Sequence, residues 1–301
     1  MRKVSIFGGK TSEFRKETEI SVSHIALEPT VTLLKETGFP RSLIDAVIVS
    51  SCSSDQYLSS TISEMLGIKP KISHRIDNLC NSGTNAIISG FSYIASGLCD
   101  SALIIGVEKS NTSGKVLGSD LSRGQFSLPL YWGSIYKKIH MQKYGTKEEQ
   151  ICTIPVNNYF KAKKNKIAFN KNKSITLEQV LNSRILVEPL KLLECCSICE
   201  GSSCILLVAE EKIPFFKSKI ISNKKNSGEV IPVLIKGIGQ QTNSASFSNA
   251  IKDIFEQGPA KIAARQAYKM AKVDAKDIDI AEIHDAFSIL EILGYEDLGF
   301  V

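Results

Sequence analysis

Two short runs of apolar, largely β-branched residues constrain the fold of this chain more than any other feature. They are IDAVIVS at Ile44–Ser50 and SALIIGV at Ser101–Val107. Strands that lack alternating polar residues are typical of parallel sheets with both faces covered by helices. Segments with helical periodicity lie before and between the two runs. The first 110 or so residues therefore alternate strand and helix, which predicts a doubly wound α/β sheet.

The predicted elements form a complete first half, an inserted loop domain and the beginning of a second half. In the first half we predict strands at Val4–Phe7, Ile44–Ser50, Ile72–Asn78 and Ser101–Val107, and helices at Ser21–Glu36, Ser60–Leu66 and Asn81–Ser96. Residues from about 112 to 190 are polar, Lys-rich and aromatic, which predicts the inserted domain. After it we predict strands at Cys204–Val208, Val230–Ile238 and Ile278–Ile283, and a helix at Ala260–Lys272.

A short internal repeat indicates that the two halves are related. Phe39–Val49 and Val273–Ile283 both contain a polar turn, an Ile-Asp pair and an apolar strand. We therefore assign residues 1–226 to the first half, including the loop domain at about 112–190, and residues 227–301 to the start of the second, incomplete half.

The composition excludes several classes of protein. With 43% apolar and 23% charged residues, the chain is not of the disordered type. No run of about 18 apolar residues occurs, so we predict no membrane contact. The start, MRKVSIFGGK, lacks the apolar region of a signal peptide, so we expect a cytoplasmic protein whose eight cysteines are thiols. The net charge of +6 suits an anionic ligand without requiring nucleic acid, and we expect no nucleic-acid partner.

Cys80 is the candidate nucleophile. It lies between a predicted strand and a helix rich in small residues, in the segment NLCNSG. The positive end of a helix dipole and free backbone N–H groups favour a thiolate at such a position. Ser82 and Gly83 have little side-chain bulk and leave room for a substrate. The alternative is a buried cysteine that acts only as a small apolar side chain.

His284 is the candidate for stabilising negative charge on a substrate oxygen. It follows the predicted strand Ile278–Ile283 and opens a predicted helix, and ligands of α/β sheets gather at the carboxyl ends of strands. In a pair of related halves, this end would meet the end that carries Cys80. An imidazole N–H there could polarise a carbonyl held over the thiolate. The alternative is a structural histidine that caps a helix or packs in the core.

These segments together resemble the thiolase family, most closely its archaeal and sterol-carrier-protein-type branch. NLCNSGTNAI around Cys80 resembles the family's nucleophile motif, and the His-Asp-Ala-Phe segment at 284–287 resembles its strand-end motif. Further matching segments follow in the family's order at Gly106–Ser110, Tyr144–Thr146, Arg184–Leu190 and Glu200–Cys204. The resemblance covers essentially the whole chain. It implies a thiolase-like fold of two doubly wound halves in αβαβα layers.

The resemblance also implies a reaction. Cys80 would take an acyl group from an acyl-CoA thioester, and a second acyl-CoA would accept it in a Claisen condensation. The reverse is thiolysis of a 3-ketoacyl-CoA. His284 would stabilise the enolate oxygen, and Cys196, Ser197 and Phe287 would contact the substrate. Coenzyme A thioesters are thus expected as substrates, with no further cofactor, and lipid metabolism, including the mevalonate pathway, as the setting.

Two further patterns allow more than one interpretation. Cys195–Cys199 contains one CxxC pair, but a zinc site usually needs two, so we predict no metal. The other pattern is a run of six lysines between Lys161 and Lys173. It is typical of a solvated surface, and attraction of the CoA phosphates is the alternative.

Other functions stay open at this point. A related ketoacyl or hydroxymethylglutaryl-CoA synthase also uses a cysteine nucleophile, although the His-Asp-Ala-Phe segment argues against it. A non-catalytic thiolase-like scaffold is the alternative that involves no chemistry. The resemblance implies a homodimer or tetramer, with Ile72–Asn78 as its edge. It also suggests two partner proteins, a hydroxymethylglutaryl-CoA synthase and a small zinc-ribbon/OB protein.

We expect the 301-residue chain alone to have little or no condensing activity. The family also uses a histidine in a Gly-His-Pro motif and a cysteine in a Cys-x-Gly motif, which are expected beyond residue 301. The four histidines, His24, His74, His140 and His284, do not form a Gly-His-Pro motif. The purified chain should therefore form no acetoacetyl-CoA from acetyl-CoA in a spectrophotometric assay. Robust synthesis would contradict this expectation.

Overall fold

The computed structural model describes residues 1–109, 128–220, 230–242 and 258–301. These residues form two compact units. One contains the described residues of 1–116 and 198–235, and the other contains those of 117–197 and 236–301. The predicted start of the loop domain at 112 and the predicted boundary at 226–227 lie outside the described residues. The division into related halves stays a prediction.

The first unit is built on a six-stranded mixed sheet. Its strands are β1 (Val4–Thr11), β2 (Ala46–Ser50), β3 (Ile72–Ile76), β4 (Ser101–Glu108), β7 (Gly201–Ala209) and β8 (Val233–Leu234). The order is β3-β2-β4-β7-β1-β8. Strand β2 pairs in parallel with β3 and β4, whereas β7 pairs antiparallel with β4 and β1, and β1 pairs antiparallel with β8. The predicted α/β class is confirmed, with antiparallel strands added to the parallel part.

Helices cover both faces of this sheet. They are α1 (Val22–Thr37), α2 (Leu58–Met65), α3 (Ser82–Ser96) and α7 (Ile213–Lys219). Apolar residues of α1, α2 and α7 form one cluster with Val47 and Val49 of β2 and Leu103 of β4. On the other face, α3 approaches so closely that a Cβ on Gly90 would lie 2.7 Å from Ile104 Cδ1. All five residues of β2 are consequently buried, as their apolar run predicts.

Strand β1 is longer than its predicted range, Val4–Phe7. It continues through Gly8 and Gly9 to Thr11, with an irregular register between Ile6 and Gly8. A Cβ on Gly8 would lie 3.0 Å from Thr37 Cγ2, so the glycine permits close packing of α1 on the strand. The glycines therefore do not end the strand.

The second unit consists mainly of helices. They are α4 (Pro129–Tyr144), α5 (Glu148–Ala162), α6 (Leu177–Leu181), α8 (Pro259–Ala271) and α9 (Ser288–Asp297), and a short hairpin is formed by β5 (Ile185–Val187) and β6 (Leu190–Lys191). Among the helices of the described ranges, none combines the length and apolar character needed to cross a membrane.

Two strands predicted near the end of the chain were wrong in extent or in kind. The prediction at Val230–Ile238 is reduced to Val233–Leu234, which pairs with β1. The segment Ile278–Ile283 forms no strand, and Ile280 is 84% exposed. A strand requires a neighbour that accepts and donates backbone hydrogen bonds, and no described residue pairs with this segment in a sheet. The alternating isoleucines alone do not create a strand.

A buried ion cluster holds the second unit together. Lys137 of α4 is fully buried, and its Nζ donates hydrogen bonds to Glu194 Oε2 (2.8 Å), Glu148 Oε1 (3.1 Å) and the carbonyl oxygen of Pro189 (3.0 Å). Lys191 Nζ lies 2.9 Å from the same Glu148 oxygen. Burial raises the pKa of Glu148, but the hydrogen bonds from Lys191 and Lys137 outweigh it, so the pKa is lowered overall. The cluster links α4, α5 and the hairpin.

We expect Lys137→Met to destabilise the protein by about 3–5 kcal/mol, because it leaves the buried Glu194 carboxylate without its cation. The matched control is Lys138→Met, since Lys138 is the next residue of the same helix and is exposed. The control should change the free energy of unfolding by no more than about 0.5 kcal/mol. Urea denaturation measures both values, and equal losses in the two variants would refute the assignment.

Candidate active site

Cys80 lies in the turn between β3 and α3, at the carboxyl end of the parallel strands. Its side chain is exposed. A 3-10 turn at Leu79–Asn81 leads directly into α3. Leu79 has φ 49°, in the left-handed region that a Leu adopts only at a cost. Asn81 is the N-cap residue of α3, but its side chain accepts no hydrogen bond from the backbone N–H groups of the first turn. Its amide therefore does not screen the positive end of the α3 dipole.

Ser82 fixes this turn from the first position of the helix. Its Oγ accepts a hydrogen bond from the backbone N–H of Asn78 (2.6 Å) and donates one to the carbonyl oxygen of Leu79 (2.7 Å). The residue is only 5% exposed. Strained backbone persists where the surroundings over-determine it. The two hydrogen bonds of Ser82 thus explain how Leu79 is held just before the candidate nucleophile.

A second cysteine lies near this turn but has a different environment. The backbone N–H of Cys52 donates to the Glu108 carboxylate, at the ends of β2 and β4. Asp77, at the end of β3, accepts a hydrogen bond from the backbone N–H of Leu79 (3.4 Å). Burial, followed by the charges of Glu108 and Asp77, raises the pKa of the Cys52 thiol to about 12. Cys52 is therefore a neutral group in this network.

Three of the six remaining cysteines are buried, two are partly buried and one is exposed. All eight are free thiols. Burial is the largest cause that raises the pKa of Cys99, Cys152 and Cys204 to about 11 and that of Cys195 to about 12. Only Cys80 and Cys196 are exposed. The part of the chain that the structure describes contains no group of three or more His, Cys, Asp or Glu residues able to hold a metal ion.

His284 is exposed and lies in an irregular segment of the second unit. It does not open a helix as predicted, because α9 begins only at Ser288. The backbone N–H of Cys196 donates to the carbonyl oxygen of Ala286 (3.0 Å), and Cys195 forms an antiparallel bridge with Phe287. The structure thus brings the predicted substrate-binding loop and the segment that carries His284 together.

A cavity of about 170 Å³ lies at this junction. Its walls come from α5, the loop at 193–197 and the start of α9, and they include Asn158, Asn170, Cys196, Ser197 and Asp285. Asn170 Nδ2 donates a hydrogen bond to Ser197 Oγ (3.0 Å). Asn158 and Asn170 were not predicted from the sequence, because asparagine side chains alone match no motif.

Phe287 has a packing role in the structure. It is 7% exposed and belongs to an apolar cluster with Ile151, Leu190 and Ile289. Its ring fills the space beside Gly133, where a Cβ would lie 2.7 Å from Phe287 Cγ. Its predicted contact with the substrate stays a prediction.

Cys80 belongs to the first unit and His284 to the second. That these two residues lie at one site therefore stays a prediction.

Two residues within the lysine run, Ala162 and Asn170, line the cavity. Most lysines of the run are exposed, as a solvated surface predicts. Lys164 Nζ lies 4.7 Å from the centre of the Phe160 ring, and Lys173 Nζ lies 5.4 Å from that of Phe169. These contacts are compatible with both interpretations of the run.

Comparisons with known proteins agree on one family. The model of the thiolase N-terminal domain matches residues 4–127, and that of the thiolase C-terminal domain-like family matches residues 239–301. The chain is 30% identical to an acetyl-CoA acetyltransferase of Methanothermobacter thermautotrophicus, over 100% of this chain and 78% of that protein. It is 26% identical to sterol carrier protein 2 of Gallus gallus, over 99% of this chain and 56% of that protein.

Solved structures show the same fold at lower identity. The Ltp2-ChsH2(DUF35) aldolase superposes with a TM-score of 0.82 at 22% identity, covering 99% of this chain and 77% of that chain. Human mitochondrial 3-ketoacyl-CoA thiolase in complex with CoA gives a TM-score of 0.77 at 18% identity, covering 99% and 83%. The predicted thiolase-like fold is confirmed.

We expect Ser82→Ala to destabilise the protein by about 1–3 kcal/mol, because it removes the partner of two backbone groups in the turn. Ser92→Ala is the matched control, since Ser92 lies in the same helix, is exposed and donates only to the carbonyl oxygen of Ile88 (2.8 Å). That variant should stay within about 0.5 kcal/mol of the parent. Urea denaturation tests both, and a Ser82→Ala variant as stable as the parent would contradict the assigned role.

Proposed function

Because the chain belongs to the thiolase family, we propose that it is an acyl-CoA acyltransferase that carries the acyl group on Cys80. The observation that carries the proposal is the setting of this thiol. It is exposed, it follows a parallel strand, and it directly precedes the N-terminus of a 15-residue helix. Helix N-termini favour negative charge. A thiolate is the nucleophilic form of cysteine.

The first step is transfer of the acyl group to the enzyme. Cys80 Sγ attacks the thioester carbonyl carbon, the bond from that carbon to the CoA sulfur breaks, and the CoA thiolate leaves and takes up a proton. The second step forms a carbon–carbon bond between the acyl carbon and the α-carbon of another acyl-CoA, which has lost a proton, and Cys80 is released. Thiolysis of a 3-ketoacyl-CoA is the reverse.

His284 has a proposed role in the second step. An exposed imidazole can donate a hydrogen bond, directly or through a water molecule, to the enolate oxygen of the second substrate. Cys196 and Ser197 line the cavity next to its segment, which supports their proposed contact with the substrate. We also propose that Phe287 contacts the substrate from its place in the apolar cluster beside the same segment.

The setting of this activity is likewise a proposal. We expect a cytoplasmic homodimer or tetramer that requires no cofactor beyond its CoA substrates. Strand β3 is an edge strand among the described strands, which supports the predicted dimer edge. A solved neighbour is described as an aldolase with a DUF35 protein. A zinc-ribbon/OB protein and a hydroxymethylglutaryl-CoA synthase are the two proposed partners.

Intact-mass measurement after incubation with acetyl-CoA tests the function. We expect one acetyl group per chain, and peptide mapping should locate it on Cys80. Cys80→Ser should abolish the adduct, because a hydroxyl is a far weaker nucleophile than a thiolate. Cys199→Ser is the matched control, since Cys199 is a free, partly buried cysteine outside the proposed site, and it should retain the acetyl group on Cys80.

Two results would contradict the proposal. If peptide mapping locates the acetyl group on Cys196 instead of Cys80, exposure alone governs the reactivity of the thiols. If the parent protein is not acetylated, the non-catalytic scaffold becomes the better interpretation. Acetylation of Cys80 without carbon–carbon bond formation would support the first proposed step and contradict the second.

A further inference from the structure

Asn158 connects two carboxylates at the wall of the cavity. It lies on α5, and its Nδ2 donates hydrogen bonds to Asp285 Oδ2 (2.8 Å) and to Glu291 Oε2 (2.7 Å). Both hydrogens of the amide nitrogen are thereby used. The phenolic O–H of Tyr295 donates to the second oxygen of Glu291. One asparagine thus joins α5, the irregular segment before α9, and α9 itself.

The two carboxylates need such a donor to lie close together. Glu291 is 7% exposed and Asp285 is half-buried. Burial, and then the charge of Glu291, raises the pKa of Asp285 above its ordinary value. Like charges in a poorly solvated place repel each other, and N–H donors directed at both reduce that cost. Asn158 is therefore more than a surface contact.

The position of Asp285 relates this contact to the proposed chemistry. Asp285 is covalently joined to His284, in a segment without helix or strand pairing. Such a segment is held by individual contacts. At its end, Phe287 packs in the apolar cluster and bridges Cys195. Before it, the Cys196–Ala286 backbone bond and the Asn158–Asp285 bond hold the chain. Asn158 also lines the cavity, so it contacts the space where a ligand would bind.

We propose that Asn158 is a positioning residue: its amide clamps Asp285 and Glu291 together and thereby fixes the backbone that carries His284. The inference rests on the proposed function for the role of His284, but the clamp itself is a separate physical claim. In this arrangement Asn158 touches no reacting atom. It acts through Asp285 on the orientation of the adjacent imidazole.

Hydrogen–deuterium exchange of the backbone amides at 284–287 tests the clamp without requiring turnover. We expect Asn158→Ala to accelerate their exchange about tenfold relative to the parent, because it removes the hydrogen bond to Asp285 together with the one to Glu291. Asn157→Ala is the matched control, since Asn157 is the preceding residue of the same helix and is exposed. In this variant the amides at 284–287 should exchange at the same rate as in the parent.

Asn158→Asp separates a clamp from simple packing. Aspartate has nearly the same shape, but its ionised carboxylate donates no hydrogen bond and adds a third negative charge. A protonated carboxyl regains one donor. We therefore expect the acceleration by Asn158→Asp, relative to the parent at the same pH, to shrink as the pH falls towards about 5. The acceleration by Asn158→Ala should not depend on pH in this way.

The pH comparison has to consider every titratable group around Asn158. The groups next to it or on the walls of its cavity are Asp285, Glu291, Tyr295, Tyr159, Glu194, Cys195 and Cys196, with His284 adjacent to Asp285. All of them are present in the parent and in both Asn158 variants. Asn158→Ala keeps all these groups but has no ionisable side chain at 158. The pH dependence that Asn158→Asp shows beyond that of Asn158→Ala therefore belongs to the new carboxyl together with Asp285 and Glu291, to which it is coupled.

The outcomes are distinct. Three results together support the clamp. The amides at 284–287 exchange faster in Asn158→Ala, they exchange at the parent rate in Asn157→Ala, and their acceleration in Asn158→Asp shrinks as the pH falls. Exchange equal to that of the parent in Asn158→Ala overturns it, and so does a pH-independent effect of Asn158→Asp. Failure of Cys80 to become acetylated in the parent overturns the proposed function instead, while the exchange ratios still decide whether Asn158 fixes the segment.

Discussion

Burial of strands β2 and β4 on both faces is the constraint on which the rest of the first unit depends. Strand β2 is buried throughout, and β4 is buried over most of its length. Polar or reactive groups cannot lie along such strands without losing hydration. They can lie only where the strands end, and parallel strands end at the same edge. Cys80, Cys52 and Glu108 all lie at that edge. The strained Leu79 and the two hydrogen bonds of Ser82 follow from turning the chain there directly into a helix.

Local pattern predicted most of the first unit, and contacts distant in sequence account for what it missed. The periodicity at Ser21–Glu36 corresponds to a helix at Val22–Thr37, and that at Asn81–Ser96 corresponds to one at Ser82–Ser96. Ile278–Ile283 has an equally good strand pattern, yet pairing with a neighbour decides whether a strand forms. The clamp at Asn158 joins residues 127 positions apart, so no spacing in the sequence indicates it. Cys80 was recognisable as a candidate because the features that indicate it, the preceding strand, the small residues and the start of α3, lie within a few residues of it.

The interior of the second unit is organised by polar contacts more than that of the first. The first unit has a large apolar cluster around β2 and β4, whereas the second buries a lysine against two glutamates and places an amide between two carboxylates. Such networks stabilise only when nearly every member is satisfied. In return, they specify one arrangement of the helices. This is a physical reason why the segment that carries His284 has a defined position although it has no regular secondary structure.

The six lysines between Lys161 and Lys173 account for the net charge of the entire chain. Between Glu149 and Glu178 there is no acidic residue and no arginine, and the six lysines of this stretch equal the whole formal net charge of +6. The remainder of the chain is neutral. Neutralisation of these six amines, by covalent acylation or by a bound polyanion, would bring the protein to its isoelectric condition at neutral pH. Proteins in that condition associate and precipitate more readily, so colloidal stability depends on one short stretch of the surface.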